Sequence, residues 1–361
     1  MSDNHDWRRN AALTFTSLPL SIWAERTYQA MPRLDATVAA GSLPSLSIII
    51  PARNEAHNLS LLLPSLQRLR YPGPVELIVV DDGSSDGTSH VAATHGARVL
   101  RIDHLPDGWK GKPHACHQGA QIATGDWLLF TDADTIHLPD SAARALDYAV
   151  QRCLDGLSLF LKQESKGWID RLALTAAYAG LFAGTRPQDR LLNGQYVLLQ
   201  RDVYWESGGF AAVRAEALED VALGDRLRRQ GYRVPILVGE DAASVRMYAN
   251  TRQLWNGMNR LGADSLRWGG LRAAWTALFV TALMSPLIAL VGVFSGKLDR
   301  RWLPATWAAA TLPMIPWASR FGSALWAAAI PFGALFVQAA ALWGILNRLI
   351  GRGIRWKGRR V

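Results

Sequence analysis

Cysteine is scarce in this 361-residue chain, with Cys116 and Cys153 its whole complement. Two thiols make neither a disulfide framework nor a zinc-ligand set, and both read as buried side chains. Acids are scarce in one region. Residues 297–361 hold ten Lys or Arg against one acid, Asp299, so residues 1–296 are close to neutral although the chain as a whole carries +9. No internal repeat or low-complexity segment is visible, and the hydrophobic fraction of 49% excludes a disordered chain. A Gly-rich basic signature near the N-terminus is also missing, which argues against nucleotidyl transfer.

The apolar residues are unevenly placed. Ala273 to Phe294 carries no formal charge and is long enough to cross a bilayer core, with Pro286 near its middle. Trp302 to Trp317 and Ser323 to Leu346 read as a hairpin around Arg320. The basic excess flanks these segments, so attraction to anionic lipid headgroups explains it better than nucleic acid does. Nine of the fifteen tryptophans lie from Trp255 onward, as interfacial anchors would. At the other end Arg8 and Arg9 precede an apolar run from Ala11 to Ala24, short for a spanning helix and lacking a small-residue cleavage site, which reads as a membrane-surface or partly inserted helix. If the domain of residues 45–260 and the basic tail Arg348 to Arg360 both face the cytosol, the crossings between them are even in number. The Pro286-broken segment is then expected to be re-entrant or interfacial. The chain therefore divides into an N-terminal anchor segment (1–44), a central domain (45–260) and a C-terminal membrane region (261–361), and is placed at the inner, cytoplasmic membrane.

The central domain alternates strands with helices. Leu46 to Ile50 reads as a strand, Asn58 to Leu69 as a helix, Val75 to Val80 as a strand, Thr88 to His95 as a helix and Ala97 to Ile102 as a strand. A helix over Pro113 to Ala123 and a strand over Trp127 to Thr131 follow. Helices are expected at Ser141 to Arg152, Gly167 to Ala183 and Val221 to Gln230, with a strand at Val197 to Gln200. This order predicts an α/β fold with a mostly parallel sheet, whose ligands sit beyond the carboxyl ends of the strands.

Two acidic clusters fall at such ends. Asp81 and Asp82 close one strand and lead through Gly83-Ser84-Ser85-Asp86-Gly87 into a helix; these carboxylates can grip a base and ribose, or simply belong to a capped turn. Asp132-Ala133-Asp134 follows the apolar strand Trp127 to Thr131. Carboxylates two residues apart lie on the same side of an extended segment, and such a pair suits a hard divalent cation, Mn2+ or Mg2+, bridging to a diphosphate.

The run Ser47-Ile48-Ile49-Ile50-Pro51-Ala52-Arg53-Asn54-Glu55, the Asp81 to Thr88 turn and Asp132-Ala133-Asp134, in that order, resemble the family 2 glycosyltransferases of GT-A fold. The resemblance implies inverting transfer from a nucleotide-diphospho-sugar, a UDP-sugar first among them. Pro51, Arg53, Glu55 and Asp82 would lie around the nucleotide, Asp132 would face the ribose or sugar, and Asp134 would hold the metal. Gly108-Trp109-Lys110-Gly111-Lys112 is similar to a segment of the carotenoid- and hopanoid-associated subgroup, which favours Lys112 as the cation on the diphosphate. Asn193-Gly194-Gln195 and Glu219-Asp220 resemble the same subgroup.

Inversion requires a carboxylate opposite the leaving diphosphate to take the acceptor's proton, and Asp220 is the candidate base. Asn193, Gly194, Gln195, Glu219 and Trp255 are the candidate acceptor-side residues, although an acid at a helix start also follows from the helix dipole alone. Arg252-Gln253-Leu254-Trp255 is not the Gln-x-x-Arg-Trp of processive synthases, which favours single transfer. The expected acceptor is a lipid such as a carotenoid, hopanoid or related polyisoprenoid, with no role for nucleic acid. A polyprenyl-phosphate sugar transferase and a catalytically inactive membrane-bound scaffold stand as the alternatives.

Overall fold

Leu46, Ile48 and Ile50 bury themselves in one apolar core while Ile49 between them belongs to a second. Such alternation requires a strand with protein on both faces, as central parallel strands have. That strand, β1 (Leu46–Ala52), pairs in parallel with β2 (Val75–Asp81) and with β4 (Trp127–Thr131), and β2 pairs in parallel with β3 (Arg98–Arg101). The computed structural model describes residues 3–35, 41–184, 192–216, 218–268, 270–352, 355–356 and 359–360.

Among these residues the main sheet is completed by β6 (Gly156–Phe160), β8 (Tyr196–Gln200) and β9 (Ile236–Val238). Its seven strands run in the order β3-β2-β1-β4-β8-β6-β9. Strand β8 runs antiparallel to both neighbours, and β6 and β9 are parallel. The sheet is thus mostly parallel, as the alternation of elements predicts. The helices Ala56–Gln67 and Ser141–Gln151 supply the core on one face, and Gly111–Ile122 and Glu219–Arg229 supply it on the other. The last of these faces sits tight: a Cβ on Gly119 would stand 2.5 Å from Ile49 Cγ2, so a larger side chain would lift that helix off the sheet. A second sheet of three short strands joins β5 (Thr135–His137), β7 (Lys162–Gln163) and β10 (Ala243–Val245).

The chain separates into two compact units. These two sheets belong to the unit of Met31–Gln163 and Pro187–Met247. The other gathers Met1–Ala30, Glu164–Arg186 and Tyr248–Val361, and its described residues are mostly helical. In the helical unit, Ala324–Leu349 is long and apolar enough to cross a membrane, and Ala273–Leu283 with Ser285–Phe294 passes the same test as a pair bent by 52°. Large apolar side chains stay exposed along these helices, among them Val291, Phe294, Leu325 and Leu349.

Several expectations need correction. The stretch Trp302 to Trp317 does not form one arm of a hairpin; it breaks into Leu303–Thr311, a 3-10 turn at Leu312–Met314 and Ile315–Arg320. Pro313 and Pro316 lack the N–H a continuous helix needs. Arg320 is not a free cation at a hairpin tip, since it makes two 2.6 Å bonds to Glu25 and lies 3.9 Å over the Tyr28 ring. The N-terminal apolar run spans two helices, Asp3–Phe15 and Ser17–Gln29, rather than one. Cys116 is buried as expected, but Cys153 is exposed, in a left-handed turn residue with φ of 49°.

Candidate active site

The first acidic pair sits where β1 and β2 end side by side, with Ala52 opposite Asp81. Two turns lock together there. Asn54, in the left-handed region at φ 53°, donates its N–H to Ser84 Oγ at 2.9 Å and accepts from Ser85 N–H at 2.9 Å. Gly83 and Gly87 take φ of 67° and 84°, which a side chain would strain. The two aspartates divide their labour. Asp81 is fully buried and braces the turn, accepting from Ser84 N–H at 2.8 Å and from the Ser89 hydroxyl. Asp82 lies beside Arg53, whose Nη1 donates to the Asp82 carbonyl at 2.6 Å and stands 3.9 Å from its carboxylate. Glu55 is buried, donates its N–H to Thr88 Oγ1 at 2.9 Å and accepts from Asn58 Nδ2.

The second pair leaves β4 over a buried polar platform. Thr131 Oγ1 donates to the Gln195 carbonyl at 3.0 Å and lies 3.0 Å from His137 Nε2. Thr135 Oγ1 donates to the Asp132 carbonyl at 2.8 Å, and the Arg246 N–H donates to the Asp134 carbonyl at 3.0 Å. The backbone of Asp132-Ala133-Asp134 is therefore held from both sides. His137 stacks on Tyr196 with ring centroids 5.5 Å apart, and burial pushes its pKa down to about 4, so it stays neutral.

A small cavity brings together the acids that follow one strand and open one helix. Pro51 from β1, Asp132 after β4, and Glu219 and Asp220 opening the helix Glu219–Arg229 line it, with Lys112, Gly194 and the apolar Cys116, Phe130 and Phe210. Lys112, in the first turn of the helix Gly111–Ile122, is the cation among them: its Nζ is 2.6 Å from Asp132 and 3.6 Å from Glu219. Burial works against its charge, yet Asp132 and Glu219 outweigh it and hold the ammonium above the ordinary lysine range. Asp220 accepts from Gly194 N–H at 2.8 Å and from Val221 N–H at 2.9 Å.

Asn193 and Gln195 are engaged beside the cavity. The Gln195 side-chain oxygen accepts from Gln163 and Asn193, both at 3.1 Å, and Asn193 Nδ2 also donates to the Leu159 carbonyl. Trp255 belongs to the helical unit, on the helix Thr251–Trp268, with its ring edge-on to Phe336. Cys116 in the cavity wall was not singled out by its chemistry. It lies four residues after Lys112 in one helix, and that spacing alone puts both on one face. Thr131 and His137 carry no comparable sequence signal, because the platform they build is closed by β8 from far along the chain.

No cluster of three or more His, Cys, Asp or Glu suited to a metal is present among the described residues. What Asp132 and Asp134 offer is one or two carboxylates, half-buried. This donor set fits a small hard cation of the kind that takes its remaining oxygens from substrate phosphates and water.

Residues 47–222 match the family described as glycosyl transferase family 2. A 4,4'-diaponeurosporenoate glycosyltransferase of Staphylococcus aureus strain MRSA252 is 29% identical over 263 residues, 69% of this chain and 68% of that protein. The protein of the same name from strain USA300 is 31% identical over 214 residues, with 56% of each chain covered. Among solved structures, the mannosyltransferase PcManGT from Pyrobaculum calidifontis, in complex with GDP-Man and Mn2+, superposes with a TM-score of 0.57 at 19% identity. The match covers 92% of this chain and 97% of that one. At that identity the likeness establishes the GT-A fold alone.

Proposed function

From the match of residues 47–222 to the family 2 glycosyltransferases we propose that this chain belongs to that family and transfers one sugar, with inversion, from a nucleotide-diphospho-sugar to a lipid acceptor of the carotenoid or related polyisoprenoid type. The observation that carries this reading is the cavity where Lys112, Asp132, Glu219 and Asp220 meet. Carboxylates and a cation from separate strand and helix ends converge there, which a mere capped turn would not require. The names of the Staphylococcus aureus relatives support a carotenoid acceptor, and the exposed apolar helices of the same chain support an acceptor drawn from a membrane.

In the proposed reaction Arg53 and Asp82, with Glu55 and Pro51, bind the nucleotide at the joined ends of β1 and β2. Asp132 faces the ribose or the sugar. Asp134 would hold Mn2+ or Mg2+, and when bound the ion supplies charge neutralisation on the diphosphate as it leaves. Lys112 adds a second positive charge to the same end. The acceptor oxygen attacks the anomeric carbon, the bond from that carbon to the diphosphate breaks, and Asp220 takes the acceptor's proton. A carboxylate acceptor would arrive without that proton and lean less on Asp220. The domain faces the cytosol, where nucleotide-sugars are, from the inner membrane.

The test is nucleoside diphosphate release by detergent-purified protein with Mn2+, across UDP- and GDP-sugars, with and without total bacterial lipid. Lipid-dependent release is the expected outcome and identifies the donor. Protein that binds nucleotide but releases none under any combination would reject the reading in favour of a binding scaffold.

A further inference from the structure

Gly194 has no side chain to offer chemistry, yet its two backbone groups reach the two charged ends of the cavity. Its N–H donates to Asp220 Oδ2 at 2.8 Å, and its carbonyl accepts from Lys112 Nζ at 3.3 Å. Lys112 is in turn 2.6 Å from Asp132. A continuous polar path thus runs from Asp132 through Lys112 and Gly194 to Asp220, all inside one compact unit.

The glycine is there for space rather than for backbone freedom. Gly194 is absent from the glycines with positive φ, so its conformation is open to other residues. A Cβ at this position would stand 2.9 Å from Asp220 Oδ2 and 3.1 Å from Lys112 Nζ. Both atoms end flexible side chains. A methyl group can therefore be fitted without unfolding the strand that follows, but it must push the carboxylate or the ammonium away from where each now rests.

We propose that Gly194 is a positioning residue for the transfer: its N–H holds the Asp220 carboxylate where the acceptor's proton is taken, and its carbonyl ties that carboxylate to Lys112 on the donor side. The role rests on Asp220 being the base, as argued above. Misplacing a reacting group by about 1 Å costs on the order of 100-fold in rate, which sets the scale of the effect.

The experiment is a double-mutant cycle on the detergent-purified full chain, with Gly194→Ala, Asp220→Asn and the pair together, assayed with the donor and lipid that support release. Gly194→Ala should lower kcat by about 10- to 100-fold, leave the affinity for the nucleoside diphosphate and the melting temperature near wild type, and add little to the loss already caused by Asp220→Asn. Losses that multiply in the double variant would overturn the Gly194 role while leaving Asp220 as the base. So would wild-type kcat in Gly194→Ala alone, or a loss confined to nucleotide affinity. Wild-type kcat in Asp220→Asn would instead remove the base assignment and the Gly194 role with it. Gly194→Ser provides the repeat should the alanine variant melt early, with the same three outcomes read the same way.

Discussion

Asp134 leaves β4 on a backbone held by Arg246 N–H, and its carboxylate is the one assigned to the metal. Asp134→Ala should abolish Mn2+-dependent release of nucleoside diphosphate with an unchanged melting temperature, and retained turnover would reject the assignment. By residue type and spacing Asp81 and Asp82 are equivalent, and only the family resemblance favours Asp82. The fold distinguishes them, because Asp81 faces inward to Ser84 and Ser89 while Asp82 lies beside Arg53; nothing in two adjacent identical residues can reveal which one the turn consumes. His137 carries a pH prediction. Burial lowers its pKa from 6.5 to about 4. A depressed histidine pKa means that the unfolded chain takes up a proton first, so this contribution is whole above about pH 6.5 and is lost as pH falls toward 4. It amounts to roughly 3 kcal/mol in total. The melting temperature should therefore decline between pH 6.5 and 5, above the carboxylate range, and His137→Gln should flatten that slope. An unchanged slope in the variant would show that other groups are responsible.

Elements with a strong period were legible in the sequence. Trp127–Thr131 was read to the residue, and the helix Ser141–Gln151 to within one. Strands β6 and β9 were not read: three residues carry too little pattern to separate β9 from a loop, while β6 is as long as Trp127–Thr131 and was missed all the same. Their pairing in the sheet, not their own composition, makes them strands. Helix contacts were also invisible. In the helical unit, Thr251–Trp268 packs on Ile330–Leu349 through glycines on both: a Cβ on Gly344 would collide with the Asn259 backbone, and one on Gly262 with that of Ala341. Small residues of this kind let helix backbones approach closely. Gly344→Val should cost about 1 to 3 kcal/mol, as overpacking commonly does, and lower the melting temperature in detergent, while Leu346→Ala, at an exposed site, should leave it near wild type. Equal behaviour of the two would argue that this contact is loose.

At the scale of the whole molecule, the apolar exposure of the helical unit and the Lys and Arg excess of residues 297–361 both predict stable membrane attachment. The protein should stay in the membrane pellet through high salt and alkaline carbonate and come out with detergent; release by carbonate would leave a peripheral attachment. The sequence by itself determined the α/β alternation, the placement of acids at strand ends, the match to family 2 glycosyltransferases over residues 47–222 and the segregation of apolar and basic residues, because each is a pattern of neighbours along the chain. Tertiary structure alone decided that Asp81 is the acid its turn consumes, that Lys112 lies between Asp132 and Glu219, and that the Gly194 backbone stands between Lys112 and Asp220. Those contacts join residues roughly 20 to 110 positions apart, and a distance of that kind is set by how strands and helices pack in three dimensions, which no local spacing encodes.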